Sequence, residues 1–169
     1  MKLVIVGDKC GKTSIIQRWI HPHQAIQPES TIAIDMKSLV IPKNDKPLVV
    51  QMWDCSGEKF YLKLLDKYLF NANCIVVCFD LTSSQSWLTA QYWIEKSMEI
   101  AKQTPICLIG NKLDMESSRR IKEELVKRYI NQLPVPYIFY TEVSAYTGEH
   151  CKETLHMIIT EGSRNIRVY

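Results

Sequence analysis

The feature that most constrains the fold is a regular alternation of short apolar segments with segments of helical periodicity. The apolar segments are rich in β-branched residues and are too short for buried helices, so they predict strands. These strands lie at residues 3–6, 48–53, 74–79, 106–109 and 137–143. Helical spacing of apolar residues occurs at 14–20, 84–102 and 119–132, and in a last segment that carries Cys151, Leu155, Ile158 and Ile159. Strands that alternate with helices and are apolar on both faces predict a parallel sheet with helices on both sides.

One pair of segments departs from this alternation. Residues 31–41 and 48–53 are joined by a polar turn that contains two prolines, which predicts an antiparallel hairpin at one edge of the sheet. The expected fold is therefore α/β, with three layers and a doubly wound, mostly parallel six-stranded sheet that has one antiparallel edge strand. With 169 residues, 46% of them hydrophobic, and no repeat or linker, the chain is expected to form one domain over residues 1–169.

Composition excludes several classes of function. The formal net charge is only +3 and the basic residues are scattered among acids, so no nucleic-acid surface is expected. Six cysteines lack both the paired spacing of a zinc site and the density of a disulfide scaffold, which indicates buried thiols in a reducing cytoplasm. No apolar stretch is long enough to span a membrane, and residues 165–169 offer no cysteine for lipidation. We expect a cytoplasmic chain that reaches membranes only through a partner or through a C-terminal tail missing from this sequence.

A glycine-containing loop lies between the first predicted strand and the first predicted helix. The candidate phosphate-binding residues of this segment are Gly7, Asp8, Lys9, Cys10, Gly11, Lys12, Thr13 and Ser14. In such a loop the backbone amides and the helix N-terminus point at phosphate, Lys12 adds positive charge, and the Thr13 hydroxyl is suited to bind Mg²⁺. The P-loop pattern has four residues between its glycines, whereas Gly7 and Gly11 enclose three. One amide is therefore lost from the loop, or the others spread, and either change affects phosphate affinity.

Two further motifs follow later strands. Asp54 and Gly57 come at the end of the strand predicted at 48–53, where a carboxylate can hold the magnesium shell and a glycine amide can sense a γ-phosphate. Taken alone, these two residues are equally consistent with a surface turn. Asn111, Lys112 and Asp114 follow the strand predicted at 106–109. There the Asp114 carboxylate can accept two hydrogen bonds from guanine N1 and N2, which adenine does not offer, while Asn111 braces the loops and the Lys112 stem covers the ring.

The order of these motifs, each at the carboxyl end of a predicted strand, predicts a guanine-nucleotide site. The chain resembles the Rab branch of the Ras superfamily of small GTPases, in particular at residues 30–35 and 53–57, which are similar to the two switch segments. The similarity runs from Lys2 to the last helix. It implies the P-loop GTPase fold, GTP and GDP as ligands with Mg²⁺ as cofactor, and effectors, exchange factors and GTPase-activating proteins as partners.

The resemblance also assigns roles to single residues. Thr31 lies 18 residues after Thr13, as the switch threonine that binds Mg²⁺ does in the family. Glu58, next to Gly57, stands where the family has the glutamine that orients the attacking water, which implies slow hydrolysis. A local insertion and deletion would instead align Glu58 with the next family residue. The exposed aromatic triad that recognises partners corresponds to Met36, Trp53 and Tyr68.

A last motif implied by the resemblance lies after the strand at 137–143. Ser144 and Ala145 match a loop whose backbone amide contacts guanine O6, and Tyr146 replaces the lysine of the family. Gln24 replaces an aromatic residue that packs against the base, which implies lower affinity on that side.

Three functions stay open at this stage. The first is a switch that hydrolyses GTP slowly, as a monomer or as a subunit of a complex, in vesicular or ciliary traffic. The second is a pseudo-GTPase that serves as a scaffold or complex subunit and binds nucleotide weakly, statically or not at all, which the shortened loop and Glu58 favour. A P-loop kinase or ATPase is disfavoured by Asn111 and Asp114.

Overall fold

The structure, a computed structural model, describes residues 1–26, 34–42, 46–55, 67–134 and 137–164. Its strands are β1 (Lys2–Val6), β2 (Ile34–Ile41), β3 (Leu48–Cys55), β4 (Cys74–Asp80), β5 (Ile106–Asn111) and β6 (Ile138–Val143). Its longer helices are α1 (Lys12–Ile20), α2 (Ser84–Ile100), α3 (Glu123–Asn131) and α4 (Cys151–Arg164), with a short 3₁₀ helix at Glu116–Ser118. No helix among these described residues is long and apolar enough to cross a membrane.

The strands form one six-stranded sheet in the order β2-β3-β1-β4-β5-β6. Neighbouring strands are parallel except β2 and β3, which pair antiparallel at the edge. This arrangement confirms the predicted fold class. Because β3 lies on one side of β1 and β4 on the other, the topological switch point is at the carboxyl end of β1. In doubly wound sheets this is where ligands bind.

The sheet is covered on both faces by apolar side chains. On one face β4 packs through Val77 and Phe79 against Trp87 and Trp93 of α2. On the opposite face, apolar residues of β1, β3 and β4 pack against α1 and α4. Every residue of β4 is buried, as expected for a central parallel strand. All six cysteines are buried free thiols, including those in the apolar segments for which burial was predicted.

The sequence prediction was wrong about where one helix begins. A helix over 119–132 was expected, but α3 starts at Glu123. The backbone amides of Arg120 and Ile121 instead donate to the Leu81 carbonyl at 2.9 and 3.1 Å, which holds them in an extended connection. The first helix differs in the other direction: α1 begins at Lys12, two residues earlier than expected. Its first turn therefore includes the residues next to the phosphate loop.

Candidate nucleotide site

The loop between β1 and α1 is shaped by residues in the left-handed region of backbone space. Gly7, Lys9 and Gly11 have φ angles of 141°, 46° and 82°. A Cβ at Gly7 would lie 2.2 Å from the Cys78 carbonyl oxygen, and one at Gly11 would lie 2.7 Å from the Asn111 amide nitrogen. Both glycines are thus required by space as well as by conformation. Lys9 takes the same kind of conformation with a side chain, at a cost of about 1 kcal/mol.

The Lys12 ammonium is held inside this loop. Its Nζ donates to the Gly7 carbonyl at 2.8 Å, and the residue is buried. Gly11 is the N-cap of α1, and the first turn of that helix contains no acidic residue. The helix N-terminus therefore adds positive potential beside the lysine, which suits an anion. The remaining predicted residues of this segment, Asp8, Cys10 and Ser14, lie in or next to the same loop, with the Cys10 side chain fully buried.

Two oxygen-bearing side chains meet beside the loop. The Thr13 hydroxyl, in the first turn of α1, donates to an Asp54 carboxylate oxygen at 2.5 Å. Asp54 is fully buried near the carboxyl end of β3. A hydroxyl and a carboxylate are ligands of the kind Mg²⁺ prefers, so this donor set fits the ion that the sequence implied. The other predicted metal and catalytic residues, Thr31, Gly57 and Glu58, lie outside the described residues.

Asn111 joins the phosphate loop to the loop that follows β6. Its side-chain nitrogen donates to the Cys10 carbonyl at 2.9 Å, and its side-chain oxygen accepts from the Ala145 amide at 3.0 Å. Asn111 is buried at the last position of β5. One amide side chain thus fixes the distance between a loop proposed for phosphate and a loop proposed for the base.

The carboxylate of Asp114 is positioned by a residue after β6. The Ser144 hydroxyl donates to Asp114 Oδ1 at 2.5 Å and itself accepts from the Thr147 amide at 3.0 Å. Sequence reasoning gave Ser144 only a place in a backbone motif and missed this side-chain contact. Tyr146, which follows Ala145, has a side chain that is 78% exposed. It is therefore free to lie against a ligand at the surface.

Lys112 is oriented by a carboxylate that the sequence analysis did not select. Its Nζ lies 2.6 Å from Asp80 Oδ2, and its backbone has a φ of 70°. Burial alone would raise the pKa of Asp80, but hydrogen bonds from Lys112 and from the amide and hydroxyl of Thr82 outweigh it, so the pKa lies below its usual value. Asp80 ends β4, directly next to Asn111 in the sheet register. The position of Asp80 at the end of a predicted strand is the sequence feature from which its role in the site could have been predicted.

Comparison with known proteins identifies the family. A model of the Ras family matches residues 2–164. The chain belongs to the Ras family. It is 33% identical over 159 residues to GTP-binding protein ypt5 of Schizosaccharomyces pombe, covering 90% of this chain and 72% of that one. It is 30% identical over 159 residues to Ras-related protein Rab5A of Oryza sativa subsp. japonica, covering 93% and 77%.

A third relative is a much longer protein. The chain is 31% identical over 156 residues to human EF-hand calcium-binding domain-containing protein 4B, covering 91% of this chain but 21% of that protein. This chain thus spans about a fifth of that relative's length. The family match together with the first two relatives confirms the predicted resemblance to Rab-like small GTPases. Membership of the Ras family indicates a GTP-binding switch of the GTPase class.

The three positions predicted for partner recognition lie next to one another in the structure of this Ras-family chain. Met36 of β2 pairs with Trp53 of β3 and is 45% exposed. The Trp53 ring packs against Tyr68 with ring centroids 5.2 Å apart. The Lys2 ammonium lies 5.9 Å from the centroid of the same tryptophan and donates to the Phe70 carbonyl. The three predicted positions therefore form one patch, in which Met36 is exposed and Trp53 and Tyr68 are half-buried against the core.

A network of charged and polar side chains, Arg119, Tyr140 and Glu142, lies near the end of β6. The Arg119 guanidinium contacts both carboxylate oxygens of Glu142, at 3.0 and 2.7 Å, and Tyr140 donates to the same carboxylate at 2.5 Å. The side chains of Arg119 and Glu142 are each 15% exposed. Burial alone would raise the pKa of Glu142, but the Arg119 and Tyr140 hydrogen bonds lower it below its usual value. The network ties the chain after Asp114 to the end of β6.

Replacing Glu142 by glutamine should destabilise the fold by about 2 kcal/mol at pH 7, because the mostly buried Arg119 would lose its buried partner and keep only the exposed Glu116 as a counterion. A carboxylate with a lowered folded pKa stabilises the protein above its usual pKa, and this contribution disappears as the pH falls through the folded value. The difference between wild type and Glu142→Gln should therefore shrink below about pH 4.5. Urea unfolding at pH 7 and at acidic pH measures this difference in stability.

Glu123→Gln is the matched control, since its ion pair with Lys127 is exposed and contributes little. Equal losses in both variants would contradict the role of the network.

Proposed function

We propose that this chain binds GTP and GDP with Mg²⁺ and works as a guanine-nucleotide switch. The observation that carries the proposal is that the separate motifs meet at one edge of the sheet. Asn111 joins the phosphate loop to the Ala145 loop, and Ser144 holds the Asp114 carboxylate beside it. A site with a buried cation at one end and a positioned carboxylate at the other matches a ligand that has phosphates at one end and a guanine at the other.

In this proposal each group has a separate task. Lys12 and the N-terminus of α1 neutralise the phosphates, and Asp114 accepts from guanine N1 and N2 while the Lys112 stem covers the ring. Thr13 and Asp54, with Thr31 from the sequence resemblance, would hold Mg²⁺. That ion would neutralise charge on the β- and γ-phosphate oxygens. The backbone of Ala145 and Tyr146 would complete the base pocket.

Hydrolysis is proposed to be slow because Glu58 replaces the glutamine that orients water in the family. A carboxylate adds negative charge near phosphate oxygens, which electrostatic catalysis disfavours. Glu58→Gln should raise the rate of phosphate release by about tenfold or more, since one positioned polar group contributes at least that much. Single-turnover phosphate release from GTP-loaded protein measures it, with Glu99→Gln on the exposed face of α2 as the control. A variant no faster than wild type would contradict this explanation.

The partners and the setting of this switch are further parts of the proposal. The patch of Met36, Trp53 and Tyr68 would receive effectors, exchange factors and GTPase-activating proteins. We place the chain in the cytoplasm, with membrane contact supplied by a partner or by a tail beyond this sequence, and assign it to vesicular or ciliary traffic. The resemblance of the chain to the Rab branch is what supports that assignment.

A second candidate is a pseudo-GTPase that serves as a scaffold and binds its nucleotide weakly, statically or not at all. The observation that favours it is the phosphate loop, which is one residue shorter than the P-loop pattern and places Lys9 at a positive φ. A loop that is strained and short of an amide can bind phosphate without supporting a cycle of exchange and hydrolysis.

One experiment tests the proposal and separates the candidates. The purified protein is denatured, and the released nucleotide is identified by chromatography. Bound GDP or GTP supports guanine-nucleotide binding, and measurable exchange for a labelled nucleotide then separates the switch from the static scaffold. Protein that is purified without nucleotide, and that also fails to bind GDP with Mg²⁺ in calorimetry, would contradict the switch and support a scaffold that binds no nucleotide. Adenine nucleotides in the extract would overturn the assignment of Asp114.

A further inference from the structure

The Arg18 side chain makes contacts that neither the phosphate loop nor the base motifs explain. Arg18 lies in the last turn of α1, the helix that begins at Lys12. Its Nε donates to the Ala145 carbonyl at 2.9 Å, and one terminal nitrogen donates to the Tyr146 carbonyl at 2.7 Å. The other terminal nitrogen donates to the Pro22 and Gln24 carbonyls at 2.7 and 3.2 Å. One guanidinium thus holds four backbone carbonyls that belong to two separate loops.

The two loops have different places in the site. Ala145 and Tyr146 form the loop that is proposed to contact guanine O6. Pro22 and Gln24 belong to the segment that leaves α1 and leads toward residues 27–33, which include Thr31. Because the guanidinium is planar, always charged and carries donors on fixed axes, it can hold both loops only in one relative arrangement.

Anchoring of α1 to the rest of the fold does not depend on this side chain. The neighbouring residue, Trp19, is buried and donates from its indole nitrogen to the Cys151 carbonyl at 2.9 Å. That contact fastens α1 to the start of α4 through the core. Arg18 itself is only half-buried, and its hydrogen bonds go to loop carbonyls. Loss of Arg18 should therefore loosen the two loops and leave the helix in place.

We propose that Arg18 is a positioning residue that couples the base-binding loop to the segment leading into the first switch, and that it thereby slows nucleotide release. The proposal rests on the proposed function. With Arg18 present, the base loop can open only when the 21–24 segment also moves. Without it, each loop opens independently, and the base is released from one side.

The test compares Arg18→Ala and Arg18→Lys with wild type, using release of a fluorescent GDP analogue into excess GDP with Mg²⁺. Arg18→Ala should release the analogue about tenfold faster or more, which corresponds to about one charge-assisted hydrogen bond of the four that the substitution removes. Arg18→Lys should also be faster, because a single ammonium cannot reach both loops in the fixed geometry of a guanidinium. Arg128→Ala, an exposed arginine of α3, is the matched control and should not change the rate. Release within twofold of wild type in folded Arg18→Ala would overturn the proposal.

Hydrogen exchange separates positioning from a general structural role. In Arg18→Ala, amides at 21–26 and at 144–148 should both lose protection, while those of α1 and β1 keep theirs. Loss of protection in only one of the two loops, or throughout the chain, would overturn the proposal that Arg18 couples them. This measurement can be made on nucleotide-free protein. If the wild type binds no guanine nucleotide, the proposed function fails, and the exchange pattern still decides whether Arg18 couples the loops.

Discussion

Replacing Asp114 by asparagine is expected to reverse the base preference of this chain from guanine to xanthine. In the proposed site the wild-type carboxylate accepts hydrogen bonds from N1 and N2 of guanine, and an amide in its place would turn a donor of its own toward one of these two donors. Xanthine carries an oxygen where guanine carries its amino group, and this oxygen can accept from an amide. We expect GDP affinity to fall by about 100-fold, as the loss of one charge-assisted hydrogen bond and the donor–donor contact in its place imply, and the affinity for the xanthine nucleotide to rise above it.

Ser144 determines how the new amide would be oriented. Its hydroxyl donates to Asp114 Oδ1 at 2.5 Å, so an asparagine there would turn its oxygen toward Ser144 and its nitrogen toward the base. Competition titrations with GDP and XDP measure the ratio of affinities. Ser144→Ala added to Asp114→Asn should weaken the preference for xanthine, because the amide would lose its orientation. Glu149→Gln also replaces a carboxylate by an amide, at an exposed position of the loop that contains Ser144, and is the control. An unchanged ratio of the two affinities in Asp114→Asn would rule out this role for the carboxylate.

The fold could be predicted from the sequence because its central strands are buried on both faces. β4 is apolar at six consecutive positions from Cys74 to Phe79, and such a run between helical segments fits only a covered parallel strand. The start of α3 could not be predicted in the same way. Arg119 and Ile121 continue a helical spacing in the sequence, but the Leu81 carbonyl and the Glu142 carboxylate hold them outside the helix. Those acceptors come from distant parts of the chain.

The same distinction applies to the candidate site. Asn111, Lys112 and Asp114 could be selected because the chemistry of their side chains is visible in the sequence and each follows a strand. The role of Ser144 toward Asp114, and that of Asp80 toward Lys112, depend on which loops meet at the sheet edge. The role of Arg18 could not be predicted from the sequence, because its acceptors are backbone carbonyls and almost any residue type can supply one. Sequence motifs therefore identify the residues that contact a ligand more readily than the residues that hold those in position.

The shortened phosphate loop predicts a second large effect, at Gly7. Gly7→Ala should destabilise the protein by about 3 kcal/mol or more and also abolish measurable GDP binding. The new Cβ would lie 2.2 Å from the Cys78 carbonyl oxygen and 2.8 Å from the Cys10 sulfur, at a φ of 141°. Cys78 is in β4, at the centre of the sheet, so its backbone cannot move aside without disturbing the pairing with β5. The loop would have to shift instead, and the Gly7 carbonyl would leave the Lys12 ammonium.

Gly148→Ala separates the effect of space from that of conformation. Gly148 also has a positive φ, 89°, but a Cβ there would be no closer than 3.5 Å to its nearest neighbour, an Arg18 side-chain carbon. Its cost should be about 1 kcal/mol, the conformational part alone. Urea unfolding of nucleotide-free protein measures both variants, and calorimetry with GDP and Mg²⁺ measures binding. If Gly7→Ala lost no more stability than Gly148→Ala, the loop would have room that the described contacts exclude, and the assignment of Gly7 as the tight point of the phosphate loop would be wrong.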